Sequence, residues 1–327
     1  MELLTRFAVT AILFLTTALG RAQGVDFPKT RILTEQLAPN FYTLTGSAGV
    51  DPGHPEGAGG RIGVLVGTDG VFMVDATYAP LSDKVAAAIR RLSGGAAIRF
   101  LVDTHAHPDH TGGNPNFAKQ GALIIAREEV WQTLSQPLPA AIAAAIGSAA
   151  SQTDPARLPV LTYGPGTRFE MRLNGEIIHV IGLPPAHTNG DTIVKFKKAD
   201  VIMIGDFYRN YGYPFIDSAH GGSFAGVIQA LDQIMALAGP DTKLVPGHGT
   251  IVTRADLQPY RAMIVSVQQT VNRMIRNGKT RQDILSANVT APYDANVPGG
   301  RIPLPAGLGT SADRFVSEVY EELHANN

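Results

Sequence analysis

The chain has 327 residues, a formal charge of −1 and no cysteine. The balanced charge argues against nucleic acid as the main partner, because binding phosphates requires a basic excess. The missing cysteine excludes disulfides, thiolate nucleophiles and thiolate metal ligands. A composition of 44% hydrophobic and 17% charged residues is that of an ordinary globular protein with enough chain for a large core.

The first segment, MELLTRFAVTAILFLTTALGRAQ, has Arg6, then an apolar stretch over 7–19 and small residues at Gly20 and Ala22. The stretch is short for a membrane span and suits a leader cleaved after Ala22. Residues 1–22 therefore read as a signal peptide and 23–327 as a single domain. The mature protein is expected to be exported, periplasmic or secreted, with no stable membrane insertion once the leader is removed.

After the leader, NFYTLTG, GRIGVLVG and GVFMVDA read as short strands of a meander. Ser82 to Leu92 reads as a helix capped by Ser82, with Val85, Ile89 and Leu92 on one face. AIRFLVD is an apolar run typical of a strand buried on both faces, and ALIIA is another. Helices are expected over Arg127 to Leu134 and Pro139 to Ala150, with a turn at Gly164 to Gly166. EIIHVIG, DTIVKF and DVIMIGD give three more strands. Ser223 to Ala238 is a capped amphipathic helix, and KLVPGHG is a short strand entering a glycine loop. Helices over Ala255 to Asn277 and Ser311 to His324 flank a Pro/Gly-rich loop over Pro292 to Gly309.

The chemistry concentrates in LVDTHAHPDHTGGN, where His105, His107, Asp109 and His110 follow a buried strand directly. Strand ends of α/β sheets are where sites are built. Alternation sends His105, His107 and Asp109 one way and His110 another, so one loop can feed two neighbouring ions. Imidazole and carboxylate are ligands that suit zinc when thiolate is absent. GLPPAHTNGD, MIGDF and VPGHG place His187, Asp206 and His248 at three further strand ends. Asp75 ends the strand VFMVDAT, and Thr188 and Asp191 flank His187; these three are candidates for bracing the ligands. The aromatic loop FYRNYGYPFIDSAHGGS offers Tyr208, Arg209 and Asn210 as candidates for binding a substrate with an apolar body and a carboxylate. His220 is read as a local structural residue, His179 as a packing residue in mid-strand, and His54 as a residue of a flexible, solvent-exposed loop.

The motifs THAHPDH, followed by TGGN, then AHTNGD, IGD and PGHG, resemble in order those of the metallo-β-lactamase superfamily. The resemblance spans roughly Asn40 to Gly249. It implies an α/β fold, the four-layered αβ/βα sandwich of two mixed β-sheets flanked by helices. It implies two Zn2+ per chain: His105, His107 and His187 on the first, Asp109, His110 and His248 on the second, and Asp206 bridging. A hydroxide between the ions would be the nucleophile, with Asp109 as its catalytic partner. The position matching Asp206 is cysteine in the best-known β-lactamase subclass and aspartate in glyoxalase II-like hydrolases. The long interval between His107 and His187 is nearer to the lactamases. The expectation is thus an exported dinuclear zinc hydrolase, β-lactamase-like, attacking a carbonyl (amide, lactam or ester) of a small, carboxylate-bearing substrate. A lactonase or thioesterase of the same fold is the alternative. An iron-dependent dioxygenase is disfavoured, because such enzymes keep a mononuclear site and the second ligand set here is complete.

Overall fold

Apolar runs broken by Gly, Pro and Asp give twelve strands among the described residues, arranged in two sheets. The computed structural model describes residues 26–47, 59–149, 153–304 and 309–325. The expected leader and His54 lie outside the described residues. Among the described residues no helix is long and apolar enough to cross a membrane.

The first sheet has the order β1 (Ile32–Ala38), β2 (Phe41–Gly46), β3 (Ile62–Leu65), β4 (Val71–Val74), β5 (Ile98–Val102), β6 (Leu123–Arg127), β7 (Leu161–Tyr163). Its first four strands form an antiparallel meander; from β4 onward the pairing is parallel. Parallel pairing requires crossovers, supplied by α1 (Ser82–Ser93) and by the short α2 (Pro108–Thr111) and α3 (Asn114–Lys119). The second sheet runs β12 (Lys243–Pro246), β11 (Val201–Gly205), β10 (Thr192–Phe196), β9 (Glu176–Gly182), β8 (Arg168–Leu173). It is antiparallel except for the β11–β12 pair, which α6 (Phe224–Leu237) connects.

Both sheets are mixed and pack face to face. Phe41, Phe72, Val102, Val180, Phe196, Met203 and Val245 are buried between them, with the Phe196 ring 4.5 Å from Phe41. The outer face of the first sheet is covered by α1 and α3 through Val85, Ile89 and Phe117. The outer face of the second is covered by α6, α7 (Arg254–Arg276) and α9 (Ser311–Ala325) through Phe224, Leu231, Ile264 and Phe315. The layers are thus helix, sheet, sheet, helix. The central strands are covered on both faces, which is why β4 and β11 read as continuous apolar runs.

Some elements depart from the expected ones. A 3-10 turn at Ala79–Leu81 leads directly into α1, so Leu81 takes the cap position instead of Ser82. Ser223 does cap α6, accepting from Gly226 N at 3.0 Å. The helix α4 (Glu128–Ser135) is as read, whereas α5 (Ala140–Ala145) is shorter. The strands β1, β7 and β8 and the helix α8 (Arg281–Ser286) are additional.

Candidate metal centre

The loop after β5 and the loops after β9, β11 and β12 meet at one edge of the sandwich. His105 Nε2 and His187 Nε2 each lie 3.1 Å from His107 Nδ1. Beside them, His248 Nε2 lies 2.9 Å from Asp109 Oδ2 and 3.4 Å from Asp206 Oδ2. His110 Nε2 lies 3.3 Å from Asp206 Oδ1 and 3.7 Å from Asp109 Oδ2. Among the described residues, four groups of side chains are of metal-binding size: His105, His107 and His187; His105, His110 and Asp206; Asp109, His110 and His248; and His107, Asp217 and His220. All seven residues expected to hold metal are therefore brought together, and Asp206 stands between the two histidine sets.

The hydrogen bonds behind the rings set which nitrogen faces inward. His187 Nδ1 meets the Phe215 carbonyl oxygen at 2.9 Å, so it carries the proton and Nε2 carries the lone pair. His107 Nε2 donates to Asp217 Oδ2 at 2.8 Å, which leaves Nδ1 as the inward atom. Thr104 Oγ1 donates to Asp75 Oδ2 at 2.9 Å and so accepts from His105 Nδ1 at 3.1 Å. His110 Nδ1 donates to Asp75 Oδ2 at 2.8 Å. With the rings neutral, lone pairs thus converge at about 3 Å, an arrangement that is repulsive without a cation and suited to one. His110 Nε2 and Asp206 Oδ1 are buried and have no hydrogen-bond partner among the described residues. Gly247 completes the cradle: a Cβ there would run into Asp206 Oδ1 and the His110 ring. An all-nitrogen-and-oxygen donor set with orphaned inward atoms fits metal ions of the zinc type.

The site is deep and charged. His105, His110 and His187 are buried, whereas the side chains of His107 and Asp109 are 21% and 18% exposed and mark the mouth. Burial holds His187 neutral, with its pKa lowered to about 3, and lowers His105 as well. Burial also opposes charge on His110, but Asp206, Asp75 and Asp109 outweigh it and raise its pKa well above the usual histidine range. Burial works against the charged form of Asp206 too, yet His248 and His110 hold it well below the usual carboxylate range.

The family model of the Metallo-beta-lactamase superfamily matches residues 57–248 of the chain. The chain belongs to this superfamily. Among solved structures, the DIM-1 metallo-beta-lactamase superposes with a TM-score of 0.55 at 17% identity, covering 72% of this chain and 99% of that one. VMB-1 gives a TM-score of 0.55 at 17% identity over 72% of this chain and 97% of its own, and a metallo-beta-lactamase from Pontibacter korlensis gives 0.55 at 15% over 72% and 99%. At such identities these show the shared fold. The 2,4-dinitroanisole O-demethylase subunit alpha of Nocardioides sp. (strain JS1661) is 25% identical over 152 residues, 44% of this chain. That match spans 42% of the length of that subunit.

In this metallo-β-lactamase superfamily member, Asp75, Thr188 and Asp191 all lie against the loops of the candidate ligands. Asp75 accepts from Thr104 N at 2.7 Å as well as from Thr104 Oγ1 and His110. It does so from a left-handed backbone, φ 63°, which turns its carboxylate back under the loop. Asp191 accepts from His187 N at 2.6 Å, from Thr188 N and from Thr188 Oγ1 at 2.7 Å, fixing the turn that carries His187. The three expected substrate residues are placed differently. Tyr208 and Arg209 are 4% and 5% exposed. The Tyr208 ring packs 4.7 Å from Tyr260 of α7, and the charge of Arg209 acts on Tyr260 and Glu318. Asn210 bonds to Thr250, clamping the loop of His248. The physical reason is that Tyr208 and Arg209 fold inward toward α7 and α9. His179 is buried in mid-strand and hydrogen-bonded as well as packed: Arg168 donates to its Nδ1 at 2.7 Å and its Nε2 donates to Glu170 at 3.1 Å.

Two functional positions have no counterpart among the residues singled out from the sequence. Asp217 Oδ2 takes hydrogen bonds from His107 and, at 2.6 Å, from His220 Nδ1. Burial opposes its charge, but His107 and His220 hold it well below the usual carboxylate range. Arg61 donates to the carbonyls of Pro246 and Gly249, each at 2.8 Å, and so grips the loop of His248 from both sides. A buried arginine spanning two carbonyls leaves a sequence signal only in its isolation between glycines, GGRIG.

Proposed function

We propose that the protein is a dinuclear zinc hydrolase acting on a small molecule with an electrophilic carbonyl, an amide, lactam or ester. The reading rests on one observation: the inward nitrogens of His105, His107, His187 and His110 converge with the carboxylates of Asp109 and Asp206, each ring locked by a bond on its far side. His105, His107 and His187 would hold one ion, Asp109, His110 and His248 the other, and Asp206 would offset charge between them. Bound there, zinc would supply Lewis acidity and lower the pKa of water to about 7. Asp109, at the mouth, would orient a reacting water. The buried flanks formed by Asp75, Asp191 and Asp217 keep the ligands from rotating, which holds the reacting groups in register.

Export to the periplasm or beyond follows from the leader-like residues 1–22, and cell fractionation with N-terminal sequencing of the mature chain tests it. A carboxylate on the substrate remains part of the proposal, although it would be met by groups other than the buried Arg209. A second reading draws on the O-demethylase relative: cleavage of an activated aryl ether would use the same acidified water. Elemental analysis after zinc-replete expression is expected to give two zinc ions per chain. Rates on a panel of β-lactams, lactones, thioesters and 2,4-dinitroanisole then rank the substrates. One iron and no zinc would sink the dinuclear hydrolase reading.

A further inference from the structure

The loop from Tyr213 to Asp217 touches two candidate metal ligands and is itself held by the last helix. On the metal side, Asp217 Oδ2 accepts from His107 Nε2, the Phe215 carbonyl accepts from His187 Nδ1, and Asp217 N donates to the His187 carbonyl at 2.8 Å. On the far side, Ile216 N donates to Glu318 Oε2 at 3.2 Å. The Arg314 guanidinium lies 4.4 Å from the centre of the Phe215 ring. Tyr213 N donates to Ser311 Oγ at 2.7 Å, and the Tyr213 ring stacks 5.6 Å from Phe315. Ser311, Arg314, Phe315 and Glu318 all belong to α9, which lies beyond the segment 57–248 matched by the family model.

We propose that Asp217 and Glu318 are positioning residues for the first metal site, so that α9 is a working part of the metal centre. The inference rests on the dinuclear reading above. Asp217 sets the tautomer and plane of His107, and Glu318 sets where Asp217 and the Phe215 carbonyl stand. The second site, built by Asp109, His110 and His248, has no bond to this loop among the described residues, so the effect belongs to one ion only. That asymmetry separates positioning from general destabilisation, which would weaken both sites.

The test is metal binding by the full-length protein, with zinc affinities measured by competition with a chromophoric chelator and the ligand field read from the cobalt-substituted form. Losing a partner of a metal-bound histidine typically costs about 10–100-fold in affinity. Asp217→Asn is therefore expected to weaken one of two zinc sites by about that factor, to shift the visible cobalt spectrum and to leave the other site within about twofold. Glu318→Ala should weaken the same site by about three- to tenfold. Glu318→Gln, whose amide oxygen still accepts from Ile216 N, should restore it. If Glu318→Ala does not fold, Asp217→Asn and the Gln variant still decide. Two zinc ions bound with unchanged affinities and cobalt spectra in Asp217→Asn would overturn this inference and leave the dinuclear reading standing. A wild-type chain that binds no zinc would overturn the dinuclear reading and this inference with it.

Discussion

Asp206 and Asp191 are both buried aspartates next to histidine ligands, yet their bonds differ in kind. Asp206 points both oxygens at histidine nitrogens, His110 at 3.3 Å and His248 at 3.4 Å, and has no backbone donor among the described residues. Its negative charge would offset the repulsion between two cations bound side by side. Asp191 points its oxygens at the amides of His187 and Thr188 and at the Thr188 hydroxyl, so it shapes a turn and touches no ligand nitrogen. Asp206→Ala should therefore lose the second zinc and cut activity more than about a hundredfold, beyond the range typical of residues behind the ligands. Asp191→Ala should keep two ions at reduced affinity and cost about 1–3 kcal/mol of stability, because buried donors lose their acceptor. Zinc content, activity and urea unfolding of both variants check this. Equal losses in two folded proteins would place Asp206 outside the bridge.

At the scale of elements, α9 carries a titration of its own. Burial raises the Glu318 carboxyl to about 8, and Asp217 adds to the rise, while Arg314 and Ile216 N pull the other way. Between the ordinary glutamate value of about 4.5 and this value, the folded chain holds a proton that the unfolded chain has released. Stability from this group is thus present at low pH and lost as pH rises through that window. Each tenfold difference in proton affinity between the folded and unfolded chain is worth about 1.4 kcal/mol, so the loss is on the order of a few kcal/mol. Urea unfolding at about pH 5 and about pH 8 should show a smaller decline for Glu318→Gln than for the wild-type chain. The same decline in both would remove Glu318 as its source.

Elements also differ in how much of them the sequence betrays. β4 and β11 are buried on both faces and read as unbroken apolar runs, and β5 differs only by the exposed Arg99 and half-buried Phe100 near its start. β1 and β8 sit at sheet edges with mostly exposed, charged or alternating residues, ILTEQLA and RFEMRL, and so carry little period to read. α8 has one local signal, the capping box of Thr280 and Asp283, but too few residues for a helical stripe. The metal ligands were legible because histidine is scarce and sits at strand ends. Asp217 was not, because an Asp between Ile and Ser looks like any turn residue; its partner His107 is 110 residues away in sequence. Arg209 misled for the converse reason. Its offset from Asp206 is visible, but the helices that bury it are remote in the chain.

The whole molecule is two half-sandwiches joined along an apolar interface, and the candidate site lies across that joint. His105, His107, Asp109 and His110 come from the first sheet, and His187, Asp206 and His248 from the second. Each ion would take ligands from both. The first would join His187 to His105 and His107, and the second would join His248 to Asp109 and His110. Metal bound there would act as two clamps between the sheets and would offset the nitrogens and carboxylates that crowd at about 3 Å. A ligand that binds only the folded state adds RT ln(1 + [L]/Kd), about 2.7 kcal/mol at a hundredfold excess over Kd. For a chain of this size 1 kcal/mol moves Tm by about 2–4 °C. Removing zinc with a strong chelator should therefore lower Tm by about 5–10 °C for each site emptied, and adding zinc back should restore it. The clamp makes a sharper demand: His187→Ala and His248→Ala should each abolish about half of the zinc-dependent rise, because each cuts one of the two links across the joint. A zinc-dependent rise that survives loss of His187, His248 and Asp206 together would mean that the ions bind within one sheet's loops alone, and the dinuclear site across the two sheets would be disproved.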